Sequence, residues 1–502
     1  LLKGDEGGSE AIAERIRAAF MLLRGSMRLG NVLREKSPQQ DHRGVGVTPL
    51  ERYLGDLLLL RSAVLRWKEG DTNASISAPL YRREWIWLFN EMGVVALLIG
   101  HMDDACRLFE QAAKFEQDRI RDKDGYEWYR QRIAGIDAPG AASPDVRDQL
   151  PEPHFTISLC RILLNMAIVE SERGAFDRAS RILAGRRVDF ASMQASFDGS
   201  DPGAAAEKAS TGYEREKPSG KPAAAARPPG QKGKQPDAAL TQQESGRQHR
   251  EVRLLALVGE LLHARIRFLE GGAGNATHAL VGLEEAIIAE GVPGLTAWYF
   301  HIRADIESKR ANHREADVLL KTARTESEAS GRADLILSVM LAESENDMRQ
   351  QALQGGTRIR YHLSRIHEIK QEARRMGILR VVVSASMIRA KLYLSMGEYR
   401  SARYDILSAI ELANMHGMNI KRVSSLVVLA ALIGSMGDEL REDALVVARG
   451  ARYEAERIGY QLAAMNATEL EIVLREGGSI EDWAAGHSRP DAVHSGRIEW
   501  AD

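Results

Sequence analysis

Apolar and polar positions along the chain follow the period of α-helices, and almost no segment shows the alternation typical of a β-strand. The helical pattern covers about 11–23, 50–64, 81–120, 155–183 and 252–474, and short stretches of Gly, Asp or Asn interrupt it. These stretches delimit predicted helices of roughly 12 to 20 residues. Aromatic residues make up only 6% of the chain, and Ala, Leu, Glu and Arg are abundant, which also favours helices. The sequence therefore predicts an all-α fold.

One long interruption, residues 191–250, is rich in Pro, Gly, Ala, Ser, Lys and Gln. Such a segment buries too little apolar surface to offset the entropy lost on ordering, so we predict a disordered, low-complexity linker. We interpret it as a tether, although its basic side chains also suit an acidic partner; these are Lys217, Lys221, Arg227, Lys232 and Lys234. The predicted organisation is a helical cap region at 1–75, a first block at 76–190, the linker at 191–250, a second block at 251–477 and an irregular tail at 478–502.

Small residues recur at fixed intervals within the helical pattern. In MGVVALLIGHMDDACRLFEQAAKFE, which starts at Met92, glycine and alanine occupy the positions where two antiparallel helices would approach closely, and a phenylalanine fills the gap beside them. The same pattern returns three more times in good form. The residues that we assign to packing within and between repeats are Gly93, Gly100, Ala105, Phe109, Ala112, Gly174, Ala179, Ala304, Ala316, Ala390, Gly397 and Ala402.

This spacing resembles the tetratricopeptide repeat, a helix–turn–helix unit of about 34 residues. Equivalent alanines at Ala402 and Ala444 stand 42 residues apart, so the repeats are longer than usual and are similar to the degenerate repeats of bacterial signalling and defence proteins. The resemblance implies an α-solenoid that forms a right-handed superhelix, in which the first helix of each repeat lines a concave surface.

The resemblance also implies which side chains face a partner on that concave surface. Trp87 and Trp298 are the candidate binding hot spots; packing against a neighbouring repeat is the strong alternative explanation for both. The candidate partner-binding residues are Trp87, Asn90, Val94, Leu97, Arg161, Leu164, Asn165, Ile168, Trp298, His301, Asp305, Met387 and Lys391.

These features predict a protein–protein interaction scaffold or adaptor that binds a peptide or helix of a partner protein in its concave face. The alternative is a sensor or regulatory module of a larger signalling or defence effector, whose catalytic domain lies upstream of Leu1 or on another chain. The sequence leaves the oligomeric state open. It contains no phosphate-binding glycine loop and no HExxH motif, so we expect no enzymatic activity, no cofactor and no metal.

Charge, apolar run length and cysteine content bear on nucleic-acid binding, membrane association and cellular compartment. The net charge is −2, which gives no general attraction to nucleic acid. The longest apolar run, 426–436, is shorter than the ~20 residues that span a membrane, and two cysteines suit a reducing cytoplasm. His101, Asp103, Asp104 and Cys106 form a polar cluster that we interpret as turn and helix-cap residues.

Overall fold

The computed structural model describes residues 48–70, 78–121, 157–198, 238–353, 359–480 and 483. These residues form sixteen α-helices and one short 3₁₀ turn, Asp438–Leu440, and contain no strand. The helices are α1 Pro49–Gly70, α2 Ala78–Ile99, α3 Met102–Arg121, α4 Ile157–Glu172, α5 Phe176–Asp198, α6 Ala238–Leu269, α7 Ala273–Glu290, α8 Pro293–Lys309, α9 His313–Ser330, α10 Ala333–Leu353, α11 Ile359–Met376, α12 Leu379–Ser395, α13 Tyr399–Met415, α14 Asn419–Ser435, α15 Arg441–Arg457 and α16 Gln461–Glu476.

Consecutive helices pack as hairpins that stack one on the next, beginning with α2–α3 and ending with α14–α15. Small residues line the contact between the helices of a hairpin. Gly93 of α2 lies against the ring of Phe109 in α3, where an added Cβ would stand 2.6 Å from a ring carbon. Ala105 and Ala112 are fully buried in the same hairpin, as is Ala402 in α12–α13. The predicted all-α solenoid is therefore confirmed.

The tight turns inside the hairpins depend on left-handed backbone conformations. Gly100 ends α2 with a φ of 105°, and Gly174 follows α4 with a φ of 76°. Glycine adopts such angles without a steric penalty and commonly ends helices for that reason. In the α8–α9 turn Ala311 occupies this place with a φ of 62°, which is unusual for a residue with a Cβ.

The solenoid coils tightly enough that its second turn rests on its first. The backbone N–H of Met102, at the start of α3, donates to the carbonyl of His416 at the end of α13, at 2.9 Å. The side-chain amide of Asn419, at the start of α14, donates to the carbonyl of Arg173 at the end of α4, also at 2.9 Å. The end of α13 thus meets the start of α3, and the start of α14 meets the end of α4. Each pair is ten helices apart along the chain, so about five hairpins complete one turn of the coil.

Apolar side chains continue across the seam between the two turns. Met418 and Val383 belong to the same buried cluster as Ile162 and Met166 of α4. Ile420 of α14 joins the cluster that contains α4 to α10. Because burial of this kind stabilises roughly in proportion to the area removed from water, the seam is part of the hydrophobic core of the protein.

The predicted segment boundaries differ from the helix ends. Helix α5 extends to Asp198 and α6 begins at Ala238, so helices enter both ends of the predicted linker, and 199–237 lies outside the described residues. Helix α1 falls within the predicted cap region, whose residues 1–47 also lie outside. In the predicted tail, Ile480 is buried and Trp483 packs against the α14–α16 core.

None of the described helices is both long and apolar enough to cross a membrane.

Candidate functional site

Charged side chains on the first helices of several hairpins lie near one another, and we call the side of the coil that they occupy the inner surface. Helix α8 presents His301, Asp305 and Lys309 at successive turns, because residues four apart share one face of a helix. Helix α12 presents Arg380, Ser384, Met387 and Lys391 in the same way. The inner surface therefore carries polar stripes, unlike the apolar contacts within the hairpins.

Glu172 connects three inner helices through its carboxylate. The guanidinium of Arg265 in α6 lies 2.7 Å from Glu172 Oε1, and that of Arg380 in α12 lies 3.6 Å from the same oxygen. Burial alone would raise the pKa of Glu172, but the charges of Arg265, Arg380 and Lys421 outweigh it and lower the pKa to about 2. Glu172 is therefore ionised, and it joins α4 of the first turn to α12 of the second.

His301 and Lys421 experience the same group of charges. Burial lowers the pKa of His301 to about 4; the charge of Asp305 opposes that effect, and nearby Arg265 adds to it. Burial also lowers the pKa of Lys421, although Glu172 partly restores it. These side chains come from α4, α6, α8, α12 and α14, and they lie near enough to one another for their charges to interact.

A second group of charges lies further along the inner surface. Arg349 and Glu345 of α10 form an ion pair at 2.6 Å. Burial alone would raise the pKa of Glu345, but Arg349, Lys309 and Lys391 outweigh it and hold the pKa well below its usual range. Burial lowers the pKa of Lys391 to about 8, an effect that Glu345 opposes. Burial raises the pKa of Glu469 in α16, and the positive charge of Lys309 opposes this rise.

Cations outnumber carboxylates among these interacting side chains. Three cations are arginines with a carboxylate partner: Arg265 and Arg380 with Glu172, and Arg349 with Glu345. Three more are lysines, and within the described segments no carboxylate lies at ion-pair distance from them; they are Lys309, Lys391 and Lys421. The carboxylates are Glu172, Glu345, Asp305 and Glu469, so six cations face four acids.

The candidate partner-binding residues fall into four groups in the structure. Asn90 and Asn165 lie side by side, and the Asn165 amide donates to Asn90 Oδ1 at 3.1 Å. His301, Asp305 and Lys391 belong to the charged inner surface described above. Arg161 forms a partly exposed ion pair with Glu251. The remaining candidates pack against the apolar clusters; they are Val94, Leu97, Leu164, Ile168, Trp87, Trp298 and Met387.

Sequence reasoning missed several charged members of the inner surface: Arg265, Lys309, Glu345, Arg349, Arg380, Lys421 and Glu469. A usable signal was present, because Lys309 follows Asp305 and His301 at the four-residue spacing of one helix face. The contact between Glu172 and Arg380 carried no such signal, since it depends on how tightly the coil winds.

The polar cluster near Gly100 lies at the seam and not on the inner surface. Asp103 forms an ion pair with Arg173 at 3.0 Å. The thiol of Cys106 lies 3.2 Å from Glu170 Oε1, and burial together with this carboxylate raises the thiol pKa to about 12. Cys106, Glu110 and Glu170 are near enough to share a cation, but Arg178 already pairs with both carboxylates, at 2.6 and 2.8 Å.

Comparison with known proteins gives a distant likeness only. No protein-family model and no curated protein matches the chain. Among solved structures, a Rap protein complexed with competence and sporulation factor is similar over 96% of this chain and 100% of its own, with a TM-score of 0.41 and 9% sequence identity. A likeness of this degree does not identify a shared function.

Proposed function

We propose that the chain is a protein-interaction scaffold that binds a segment of a partner protein, a peptide or a single helix, along its inner surface. The observation that supports this proposal is the convergence of charged, water-accessible side chains from α6, α8, α10, α12 and α14 on one concave side. A solenoid core requires only apolar contacts, whereas an extended concave surface is what helical repeats offer to partners.

The proposal includes binding without catalysis. Arginine–carboxylate pairs such as Arg265–Glu172 hold their geometry through charge-assisted hydrogen bonds. Such pairs shape and orient a surface, and neighbouring lysines supply charge at points along it. This arrangement suits recognition of an extended chain, which needs contacts repeated over several residues.

Site-specific photo-cross-linking in the source cells tests the proposal. One variant carries a photoreactive amino acid at Ser384, on the inner stripe of α12, and a matched variant carries it at Tyr404, which is 71% exposed on the second helix α13. We expect Ser384 to capture a defined protein that Tyr404 does not capture. Capture at Tyr404 alone, or equally at both positions, would contradict binding on the inner surface.

A further inference from the structure

Three lysines of the inner surface lack a carboxylate at ion-pair distance within the described segments: Lys309, Lys391 and Lys421. They belong to three different helices, α8, α12 and α14. Glu172 pairs with Arg265, and Glu345 pairs with Arg349. The other two carboxylates near the lysines are Asp305 and Glu469. The inner surface therefore has an excess of two positive charges that its own side chains do not neutralise.

The length of the charged surface points to an extended ligand. On α12 the stripe runs from Arg380 to Lys391, which at a rise of 1.5 Å per residue spans about 16 Å. An extended chain covers that distance with about five residues. A single phosphate or a small dicarboxylate would contact only a fraction of such a stripe.

We propose that the partner segment bound on the inner surface is an acidic peptide, with its carboxylates placed against Lys309, Lys391 and Lys421. This inference rests on the proposed function and specifies the chemistry of its ligand. Lys309 is exposed, and Lys391 and Lys421 are half-buried, so a ligand carboxylate can reach each amine and form an ion pair with it. Arg265 and Arg380 share Glu172, and Arg349 keeps Glu345, so these pairs hold the helices in place around the ligand.

The lowered pKa values agree with this geometry. Burial is the main cause of the lowered pKa at Lys309, Lys391 and Lys421. At Lys391, the charges of Lys309 and Arg349 lower the pKa further. Since repulsion between these cations destabilises the empty inner surface, a negatively charged segment has a reason to bind there, whereas a positively charged one does not.

A fluorescence-anisotropy titration with labelled hexaglutamate, hexaglutamine and hexalysine peptides tests the proposal at about 0.15 M salt, where exposed charges are largely screened. We expect saturable binding of hexaglutamate only. Replacing all three lysines (Lys309→Gln, Lys391→Gln, Lys421→Gln) should weaken it by about tenfold or more, and the matched triple Lys→Arg variant should retain it. Circular dichroism of each variant verifies that the helices remain.

A second triple variant on the outer helices, Lys114→Gln, Arg400→Gln and Arg403→Gln, removes the same charge from exposed positions. Equal weakening by this variant would overturn the proposal, because binding would then depend on net charge alone.

Competition with glutarate separates a peptide ligand from a small one. Full displacement of hexaglutamate by glutarate at equal carboxylate concentration would overturn the proposal, because the site would then bind a small dianion and not an extended peptide. If Ser384 captures a partner while hexaglutamate does not bind, the acidic ligand is wrong and the proposed function stands; if Ser384 captures nothing, the proposed function itself fails.

Discussion

The imidazole rings of His101 and His416 stack in parallel, with centroids 4.4 Å apart, although they belong to different turns of the coil. His101 precedes α3 and His416 follows α13, and the backbone bond from Met102 to His416 lies beside them. The carboxylate of Asp104 lies 3.7 Å from His101 Nδ1. The stack therefore marks the seam at which the second turn of the solenoid rests on the first.

We expect protonation to loosen this seam. Burial first, and then the charge of His101, lowers the pKa of His416 below its ordinary value of 6.5, while Asp104 opposes the shift. The unfolded chain therefore binds more protons than the folded one just below pH 6.5, and the free energy of unfolding falls as the pH decreases through that range. Replacing His416 with Phe keeps an aromatic ring in the stack and removes the titrating group.

Urea denaturation at pH 8 and pH 5 provides the measurement. The unmodified protein should lose more stability between the two pH values than the His416→Phe variant does. Using the difference between the two proteins cancels the contribution of other histidines with lowered pKa values, such as His313 and His362. Equal losses in both proteins would show that His416 does not contribute to the pH dependence of folding.

The close approach of α2 and α3 makes a prediction for Gly93. A Cβ at this position would stand 2.6 to 2.9 Å from three carbons of the Phe109 ring, so Gly93→Ala should cost about 1–3 kcal/mol through overpacking. The helical residue Gly450 has no atom within 4 Å of an added Cβ, and Gly450→Ala should stabilise by up to about 1 kcal/mol through helix propensity. Urea midpoints of the two variants should therefore move in opposite directions; destabilisation by both would contradict the packing argument.

The contacts within the hairpins explain why the fold could be predicted from the sequence. Gly93, Ala105 and Phe109 lie within one local unit, and that unit recurs, so its spacing is visible in the chain itself. Local helical periodicity likewise placed His301 and Asp305 on one face of α8, and Met387 and Lys391 on one face of α12. Each of these features depends on residues that are close together in sequence.

The seam and most of the inner charges could not be predicted in this way. Whether Glu172 meets Arg380 depends on the small rotation between successive hairpins, summed over a whole turn of the coil. No local pattern encodes that sum, because changes in crossing angle at each hairpin accumulate. The accumulated rotation also determines that the start of α3 at Met102 meets the end of α13 at His416, and not the end of a different helix.

The turn between α8 and α9 provides a further prediction. Ala311 has a φ of 62° at the place where other hairpins have glycine, as Gly100 and Gly174 illustrate. A left-handed conformation costs a residue with a Cβ about 1–2 kcal/mol, so Ala311→Gly should raise the free energy of unfolding by about 1 kcal/mol. Gly174→Ala, the reverse change, should lower it by at least as much, since its Cβ would also meet Ile458. Both shifts are measurable as urea midpoints, and destabilisation by Ala311→Gly would contradict the assignment of strain.

The ionisation of Lys391 provides the most direct test of the inner surface. Burial lowers its pKa from 10.5 to about 8, whereas hydrogen bonding to Asp317 raises the pKa of the exposed Lys321 on α9. In competitive acetylation followed by mass spectrometry, Lys391 should therefore acquire half of its maximal reactivity near pH 8. Lys321 should continue to gain reactivity well above that pH.

Two changes should move the Lys391 midpoint in opposite directions. Glu345→Gln removes a carboxylate that favours the charged amine, so the midpoint should fall further. Bound hexaglutamate adds carboxylates, so the midpoint should rise and the reactivity of Lys391 at pH 8 should drop, while Lys321 stays unchanged. A Lys391 midpoint near 10.5 in the free protein would mean that neither burial nor the neighbouring cations act on its amine. The cluster of interacting cations that favours an acidic ligand would then be wrong.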